Sequence, residues 1–145
     1  MKKFINASLH GVIDYLVVAA FAAAPSTLGF GGIIANLCYA LAGIHLTLTL
    51  LTDFPFGAIK TIPFKTHGYI ELAVGPVLAA IPWAFSFSGH PTALTFFSAF
   101  GGAVFLTWLF TNYNTNSKSG QSGSQGGFNN QNTNNSNQNQ IRRAS

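Results

Sequence analysis

The fold of this chain is decided by a stretch that it uses twice, HGVIDYLVVAAFAAAPSTLGFGG at His10–Gly32 and HGYIELAVGPVLAAIPWAFSFSG at His67–Gly89. At an offset of 57 positions (67 − 10), histidine matches histidine and the acid Asp14 matches the acid Glu71. Self-similarity at a fixed offset indicates one structural unit used twice. Each copy opens with a His-Gly pair and an acid, and continues as an apolar segment long enough to form a helix.

The match extends into the next apolar segment, where Gly43–Phe54 matches Gly102–Tyr113 at an offset of 59 (102 − 43). Each unit thus has two apolar segments, so both units point the same way. We predict an all-α fold, a four-transmembrane-helix bundle of two tandem parallel helical-hairpin repeats, related by a pseudo-two-fold axis along the membrane normal. The predicted helices are 7–24, 31–51, 66–85 and 91–110. The predicted divisions are repeat 1 (1–56), an interfacial linker with repeat 2 (57–113), and a disordered Asn/Gln/Ser/Gly-rich cytoplasmic tail (114–145).

The composition favours a membrane protein. Hydrophobic residues make up 48% of the chain and charged residues only 7%, whereas a soluble domain carries about 25% charged residues. Each of the four segments reaches the minimum of about 17 residues that a helix needs to cross a bilayer. Because the pattern of the first segment recurs inside the chain, we interpret the first segment as a retained span and not as a cleaved signal peptide.

The basic residues all fall on one side of the predicted bundle: Lys2, Lys3, Lys60, Lys65, Lys118, Arg142 and Arg143. The turns within the two hairpins, Ser26–Phe30 and Ser86–His90, contain no Lys or Arg. The positive-inside rule makes the basic side cytoplasmic. We therefore expect a multi-pass protein of the inner (cytoplasmic) membrane with both termini in the cytoplasm. No basic patch interleaved with aromatic residues occurs, so nucleic acid is not an expected partner.

Five ionisable residues lie toward the cytoplasmic ends of the predicted spans: His10, Asp14, His45, His67 and Glu71. Of these, Asp14, His45 and Glu71 are at about the same depth. In both units the histidine precedes the acid by four residues, which places the two side chains on one face of a helix. Ionisable groups within a membrane are costly unless they face protein and are paired. Three interpretations stay open. They are hydrogen-bonded ties of about 2.6–3.2 Å between helices, a Zn, Mn or Fe site formed by His10, Asp14, His67 and Glu71, and a cluster that handles protons or a solute.

Other motifs give no sign of catalysis. The sequence contains no nucleophile elbow, phosphate-binding loop, dinucleotide fingerprint or Cys-x-x-Cys pair, so we predict no enzyme activity, no catalytic residue and no cofactor. The hydroxyls of Thr47, Thr49 and Thr52 are spaced for hydrogen bonds to helix carbonyls. Cys38 is expected to pack as a small apolar residue, and His90 to lie in a solvated turn.

These motifs resemble the SPW-repeat family of small bacterial integral membrane proteins. The matching residues are His10-Gly11, Asp14-Tyr15, Ala24–Phe30, Leu51–Phe54, Ile62-Pro63, His67, Glu71 and Ile81–Phe87. The resemblance covers nearly all of the chain except the tail. The chain differs in having Ser26 in place of a Trp, Ile81 in place of a Ser, and Glu71 in place of an Asp. The resemblance implies a bacterial membrane protein built from two-helix units, and it implies no established activity.

The function that the sequence favours is a non-enzymatic structural or interaction module of the bilayer. The alternative is a small carrier, or a metal- or proton-binding membrane protein, that uses the His/carboxylate cluster. We predict that Pro25, Pro82 and Trp83 form an interfacial motif, with the indole near the outer membrane surface. The expected partners are the lipid bilayer and either a second copy of the chain or another membrane protein.

The one-sided distribution of Lys and Arg predicts the topology. Reporter fusions after Lys60 and after Thr115 are expected to read as cytoplasmic, and a fusion at Gly89 as periplasmic. A periplasmic reading at Lys60 together with a cytoplasmic reading at Gly89 would show that the orientation is reversed. Equal readings at these two sites would contradict the two-hairpin arrangement.

Overall fold

The structure, a computed structural model, describes residues 3–113, in which all the long elements are helices. The helices of this range are α1 (Ala7–Leu28), α2 (Gly32–Leu51), α3 (Phe64–Ala84) and α4 (Pro91–Phe110). Two strands of two residues each lie between α2 and α3, namely β1 (Thr52–Asp53) and β2 (Ile62–Pro63). The predicted tail at 114–145 lies outside the described residues.

Three of the helices within residues 3–113 are long and apolar enough to cross a membrane. They are α1, α2 and α4, with mean hydropathies of 1.6, 1.7 and 1.7. The predicted third span, α3, is not among them, although it has 21 residues. Its N-terminal part contains Lys65, His67 and Glu71, which lower its apolar character. Large apolar side chains such as Leu16 and Ile44 are exposed on the outside of the helices, where a bilayer would cover them.

Side chains cap the ends of two helices. The Asn6 side chain accepts a hydrogen bond from the backbone N–H of Leu9 at 2.8 Å at the start of α1, as N-cap residues do. At the other end of α1, Gly29 takes the left-handed conformation with φ 68°, which glycine adopts without steric cost. His90 Nδ1 accepts from the N–H of Ala93 at 3.3 Å and caps α4. His90 is exposed, as predicted.

The prediction that the first helix ends before Pro25 is wrong, because α1 continues through Pro25 to Leu28. Proline removes one backbone donor from a helix, here the partner of the Phe21 carbonyl, but membrane helices tolerate proline. In this turn the hydroxyls of Ser26 and Thr27 both donate to the Ala23 carbonyl at 2.9 Å. Side-chain hydrogen bonds therefore reinforce the last turn of the helix.

Backbone pairing brings the helix ends together on one side of the bundle. β1 pairs with β2 in parallel, with Thr52 opposite Ile62. Ile5, just before α1, forms an isolated parallel bridge with Thr111, just after α4. The end of α2 is thus joined to the start of α3, and the end of α4 to the start of α1. These joined ends surround the polar residues described below.

The helices pack as the pairs α1 with α2 and α3 with α4. Away from the joined ends the core is apolar, with Phe21, Cys38 and Phe97 at most 2% exposed. The α3–α4 pair makes a close backbone contact at two glycines. A Cβ on Gly101 would lie 2.7 Å from the carbonyl oxygen of Gly75, so a larger residue there would push the two helices apart.

This contact predicts that Gly101→Ala destabilises the protein by overpacking, by about 1–3 kcal/mol. The matched control is Gly102→Ala on the same helix, where an added Cβ meets nothing within 4 Å. We expect the control to keep or slightly raise the melting temperature in detergent, because alanine favours helices over glycine. Equal melting temperatures for the two variants would contradict the close crossing.

Candidate functional site

The five ionisable residues that the sequence predicts toward the cytoplasmic ends of the spans come together where the helix ends are joined. His10 and Asp14 lie on α1, His67 and Glu71 on α3, and His45 on α2. The first four are almost fully buried, with His10 and His67 at 0%, Asp14 at 1% and Glu71 at 2% exposure. The His45 side chain is 13% exposed. Each acid therefore sits in the protein interior and not against lipid.

The Nε2 atoms of the histidines face the carboxylate oxygens. His10 Nε2 lies 3.5 Å from Asp14 Oδ1 and 3.2 Å from Glu71 Oε2. His67 Nε2 lies 3.4 Å from Asp14 Oδ2 and 3.5 Å from Glu71 Oε1. Each carboxylate thus presents one oxygen to each of these two imidazoles. His45 Nε2 is more distant, 3.7 Å from Asp14 Oδ1.

Most of these contacts are longer than the expected hydrogen-bonded ties of about 2.6–3.2 Å: Glu71 lies 3.2 Å from its nearest histidine nitrogen and Asp14 lies 3.4 Å from its own. Within the described residues, the Nε2 atoms of His10, His45 and His67 and the Oδ2 atom of Asp14 are buried and have no hydrogen-bond partner. Most of the N···O distances exceed about 3.2 Å. The shortest, 3.2 Å between His10 Nε2 and Glu71 Oε2, is at the upper limit of that range. Buried polar atoms without a partner call for an explanation, and a bound ion is among the usual ones.

The opposite nitrogens of the two buried histidines are held by threonines. His10 Nδ1 lies 2.9 Å from Thr111 Oγ1, and His67 Nδ1 lies 2.8 Å from Thr52 Oγ1. Each threonine hydroxyl donates its own proton to a carbonyl four residues earlier. Because a hydroxyl has one proton, it accepts from the ring, and Nδ1–H is the donor. In the neutral imidazole, Nε2 is then an unprotonated lone pair that points toward the carboxylates.

The sequence prediction did not include these two threonines in the site. It did predict that Thr47, Thr49 and Thr52 bond to helix carbonyls, and this is confirmed at 2.8, 2.8 and 2.7 Å. The missed signal was the sequence match at an offset of 59 (111 − 52). Thr52 and Thr111 occupy equivalent positions in the LTDF and FTNY endings of the two units, and a threonine retained at equivalent positions is a candidate partner for the equivalent histidines.

Tyr113, the last residue of the predicted second repeat, also reaches the site. The Tyr113 hydroxyl donates to Glu71 Oε2 at 3.1 Å, and its ring lies where a Cβ on Gly68 would come within 2.5 Å of it. On the other side of the site the Phe54 ring packs against Gly11, where it leaves no room for a Cβ atom. Phenylalanine has no hydroxyl to donate. Glu71 therefore accepts a hydrogen bond from Tyr113, and Phe54 offers no equivalent bond to Asp14.

The four buried side chains have the donor types and spacing of a metal centre. One ligand atom from each of His10, Asp14, His67 and Glu71 can be chosen so that all four lie within 4.8 Å of one another. A tetrahedral ion with bonds of about 2.0–2.1 Å has neighbouring ligands about 3.3–3.4 Å apart. The four His–carboxylate distances of 3.2, 3.4, 3.5 and 3.5 Å are close to that spacing, and they involve both oxygens of each carboxylate.

The remaining predicted residues lie away from this cluster. Pro25 and Pro82 are buried within α1 and α3. Trp83 is 60% exposed near the end of α3, on the side of the bundle opposite the cluster. Its position is compatible with an interfacial indole, and none of the three residues contributes to the His/carboxylate site.

Tyr113 predicts a pH dependence of stability. Burial and the neighbouring Glu71 carboxylate raise the pKa of its phenol above the ordinary value of about 10. The unfolded chain then loses this proton at a lower pH than the folded chain, so stability is expected to fall as the pH rises above about 10. Tyr113→Phe should reduce this fall, as measured by the melting temperature in detergent. Tyr69→Phe, at an exposed position, is the control; equal slopes in both variants would contradict the assignment.

No protein-family model, curated protein or solved structure matches this chain. The resemblance to the SPW-repeat family stays a prediction from the residues quoted for it. The chemistry of the site has to be inferred from its own atoms.

Proposed function

We propose that this chain is a multi-pass membrane protein that binds one divalent transition-metal ion through His10, Asp14, His67 and Glu71. The observation that carries the proposal is the pair of buried Nε2 lone pairs that face two buried carboxylates without hydrogen bonds. A lone pair facing a carboxylate is repulsive unless a cation lies between them. A metal ion satisfies all four groups at once, because each offers it a lone pair.

Charge balance supports a divalent ion. Asp14 and Glu71 bring two negative charges into an apolar interior, where an uncompensated ion costs several kcal/mol. Two neutral imidazoles and one divalent cation make the site neutral overall. Two protons on the histidines would achieve the same balance, but each imidazolium N–H would then need a hydrogen bond that the Nε2 geometry does not provide.

The surroundings of the histidines also fit a metal centre. Metal-binding histidines commonly donate the other ring N–H to a nearby acceptor, which fixes the tautomer and the ring orientation. Thr111 and Thr52 supply this acceptor to His10 and His67. Two imidazoles with two carboxylates suit Zn, Fe or Mn.

The membrane architecture is part of the same proposal. Contacts at the site recur at equivalent positions of the two units: His10 with Thr111 and His67 with Thr52. This correspondence supports two parallel hairpin repeats, with α3 as a fourth span whose acid is neutralised inside the bundle. We place the protein in the inner membrane with both termini cytoplasmic, as a member of the SPW-repeat family that binds metal without enzymatic activity.

The sequence favours a structural module of the bilayer as the function. One observation supports that second candidate. The His–Thr bonds connect α1 to the segment after α4, and α3 to the segment after α2. Polar contacts of this kind between membrane helices contribute about 0.6 kcal/mol on average. In this second candidate the cluster stabilises the bundle, and the purified protein carries no metal.

Elemental analysis of the protein purified in detergent separates the two candidates. We expect about one equivalent of Zn, Fe or Mn in the wild type, and loss of at least nine tenths of it in the His10→Ala/His67→Ala double variant. His90→Ala is the matched control, since this histidine caps α4 at the far end of the bundle, and it should keep the wild-type content. Wild-type protein that takes up no metal, even after incubation with each of the three ions, would overturn the proposal.

Asp14→Asn also tests metal binding. It removes one negative charge from the site and leaves the histidines in place. The amide keeps the shape of the side chain but is a weaker ligand and leaves the site one negative charge short. Metal affinity should fall by more than tenfold while the helical content measured by circular dichroism is unchanged. Unaltered metal affinity in Asp14→Asn would exclude this carboxylate from the metal's ligands.

A further inference from the structure

Two polar side chains beside the four proposed ligands stand where the other half of the chain has apolar residues. At the offset of 59, Tyr113 matches Phe54 and His45 matches Val104. Phe54 and Val104 are both buried and carry no polar group. Each half of the chain thus adds one polar side chain of its own to the cluster, from a position that the other half leaves apolar.

The two polar side chains face different carboxylates. The Tyr113 hydroxyl donates to Glu71 Oε2 at 3.1 Å. His45 Nε2 faces Asp14 Oδ1 at 3.7 Å, and within residues 3–113 this buried nitrogen has no hydrogen-bond partner. Each acid therefore has one polar neighbour from outside the four proposed ligands, and that neighbour faces one of its two oxygens.

The His45 ring differs from the two ligand histidines in its other nitrogen. Threonine hydroxyls accept from Nδ1 of His10 and of His67, which leaves the Nε2 atoms of those rings unprotonated. Among residues 3–113, His45 Nδ1 makes no such bond, so the proton of the neutral ring can lie on Nε2, where the Asp14 carboxylate stabilises it. Shortening the 3.7 Å separation by about 0.5 Å makes this contact a hydrogen bond.

On the basis of the proposed metal site, we propose that Tyr113 and His45 are positioning residues that restrict each carboxylate to a single metal-binding oxygen. Hydrogen bonds from outside the ligand set orient the carboxylates that bind a metal. With Glu71 Oε2 and Asp14 Oδ1 held in this way, Glu71 Oε1 and Asp14 Oδ2 remain for the ion. Both of these oxygens face His67 Nε2, at 3.5 and 3.4 Å. One oxygen from each acid and one nitrogen from each ligand histidine make four ligands, the number that tetrahedral Zn takes.

Co(II) tests this arrangement, because it occupies Zn sites and absorbs visible light much more strongly with four tetrahedral ligands than with five or six. The full-length protein in detergent is saturated with Co(II), and the molar absorptivity is expressed per bound ion. Tyr113→Phe and His45→Val install the residues found at the matched positions, so both variants are expected to fold. Each variant frees a second carboxylate oxygen to bind the ion. The absorptivity should therefore fall by about twofold or more as the site becomes five-coordinate.

Three further variants separate positioning from packing. Tyr69→Phe removes a phenol from an exposed position of α3, and His90→Ala removes the histidine that caps α4. Both should keep the wild-type spectrum. His45→Gln keeps an N–H donor in place of the imidazole and should keep the strong absorption that His45→Val loses, a rescue that a general loss of packing would not show.

Unchanged absorptivity per bound Co(II) in Tyr113→Phe or in His45→Val would overturn this inference and leave the metal site intact. A wild type that binds Zn, Fe or Mn but forms no strongly absorbing Co(II) complex would overturn it as well. Wild-type protein that binds none of these four metals would instead overturn the proposed function.

Discussion

Two carboxylates that share one buried site inside an apolar helix bundle are the constraint on which the rest of the structure depends. Asp14 and Glu71 are at most 2% exposed, and a buried charge is tolerated only where opposite charge and directed polar contacts surround it. The histidines one turn earlier face both acids. The joined helix ends, the threonines and the close ring contacts all serve to hold these two histidines in place.

The two histidines are held in place by residues near the ends of the helices. The threonines stand at or just beyond the ends of α2 and α4, where each hydroxyl donates to the helix and accepts from an imidazole. The parallel pairing of Thr52 with Ile62 and of Ile5 with Thr111 brings those helix ends to the histidines. A short stretch of backbone pairing, by itself marginal, thus positions the groups that determine the state of the buried site.

Much of the cluster could be predicted from the sequence, because the repeat offset and the i, i+4 spacing act along single helices. These local rules placed His10 with Asp14 and His67 with Glu71, and they predicted the Thr52 bond to its own helix. They did not predict that α1 would continue past Pro25, since hydroxyl groups in the next turn support a helix that proline alone would weaken. Nor could they predict the Tyr113–Glu71 bond, which joins residues 42 positions apart.

The sequence by itself determined the apolar helices, the two-fold recurrence of a His–acid pair and the one-sided distribution of basic residues, because each is a property of composition or of spacing along one segment. Only the tertiary structure decided what the ring nitrogens do. The bond between His10 and Thr111 joins residues 101 positions apart, and it assigns the proton to Nδ1, so that Nε2 faces the acids as a lone pair. That assignment supports the proposed metal centre over a tie between helices, since a ligand is defined by the direction of its lone pair and not by its position in the chain.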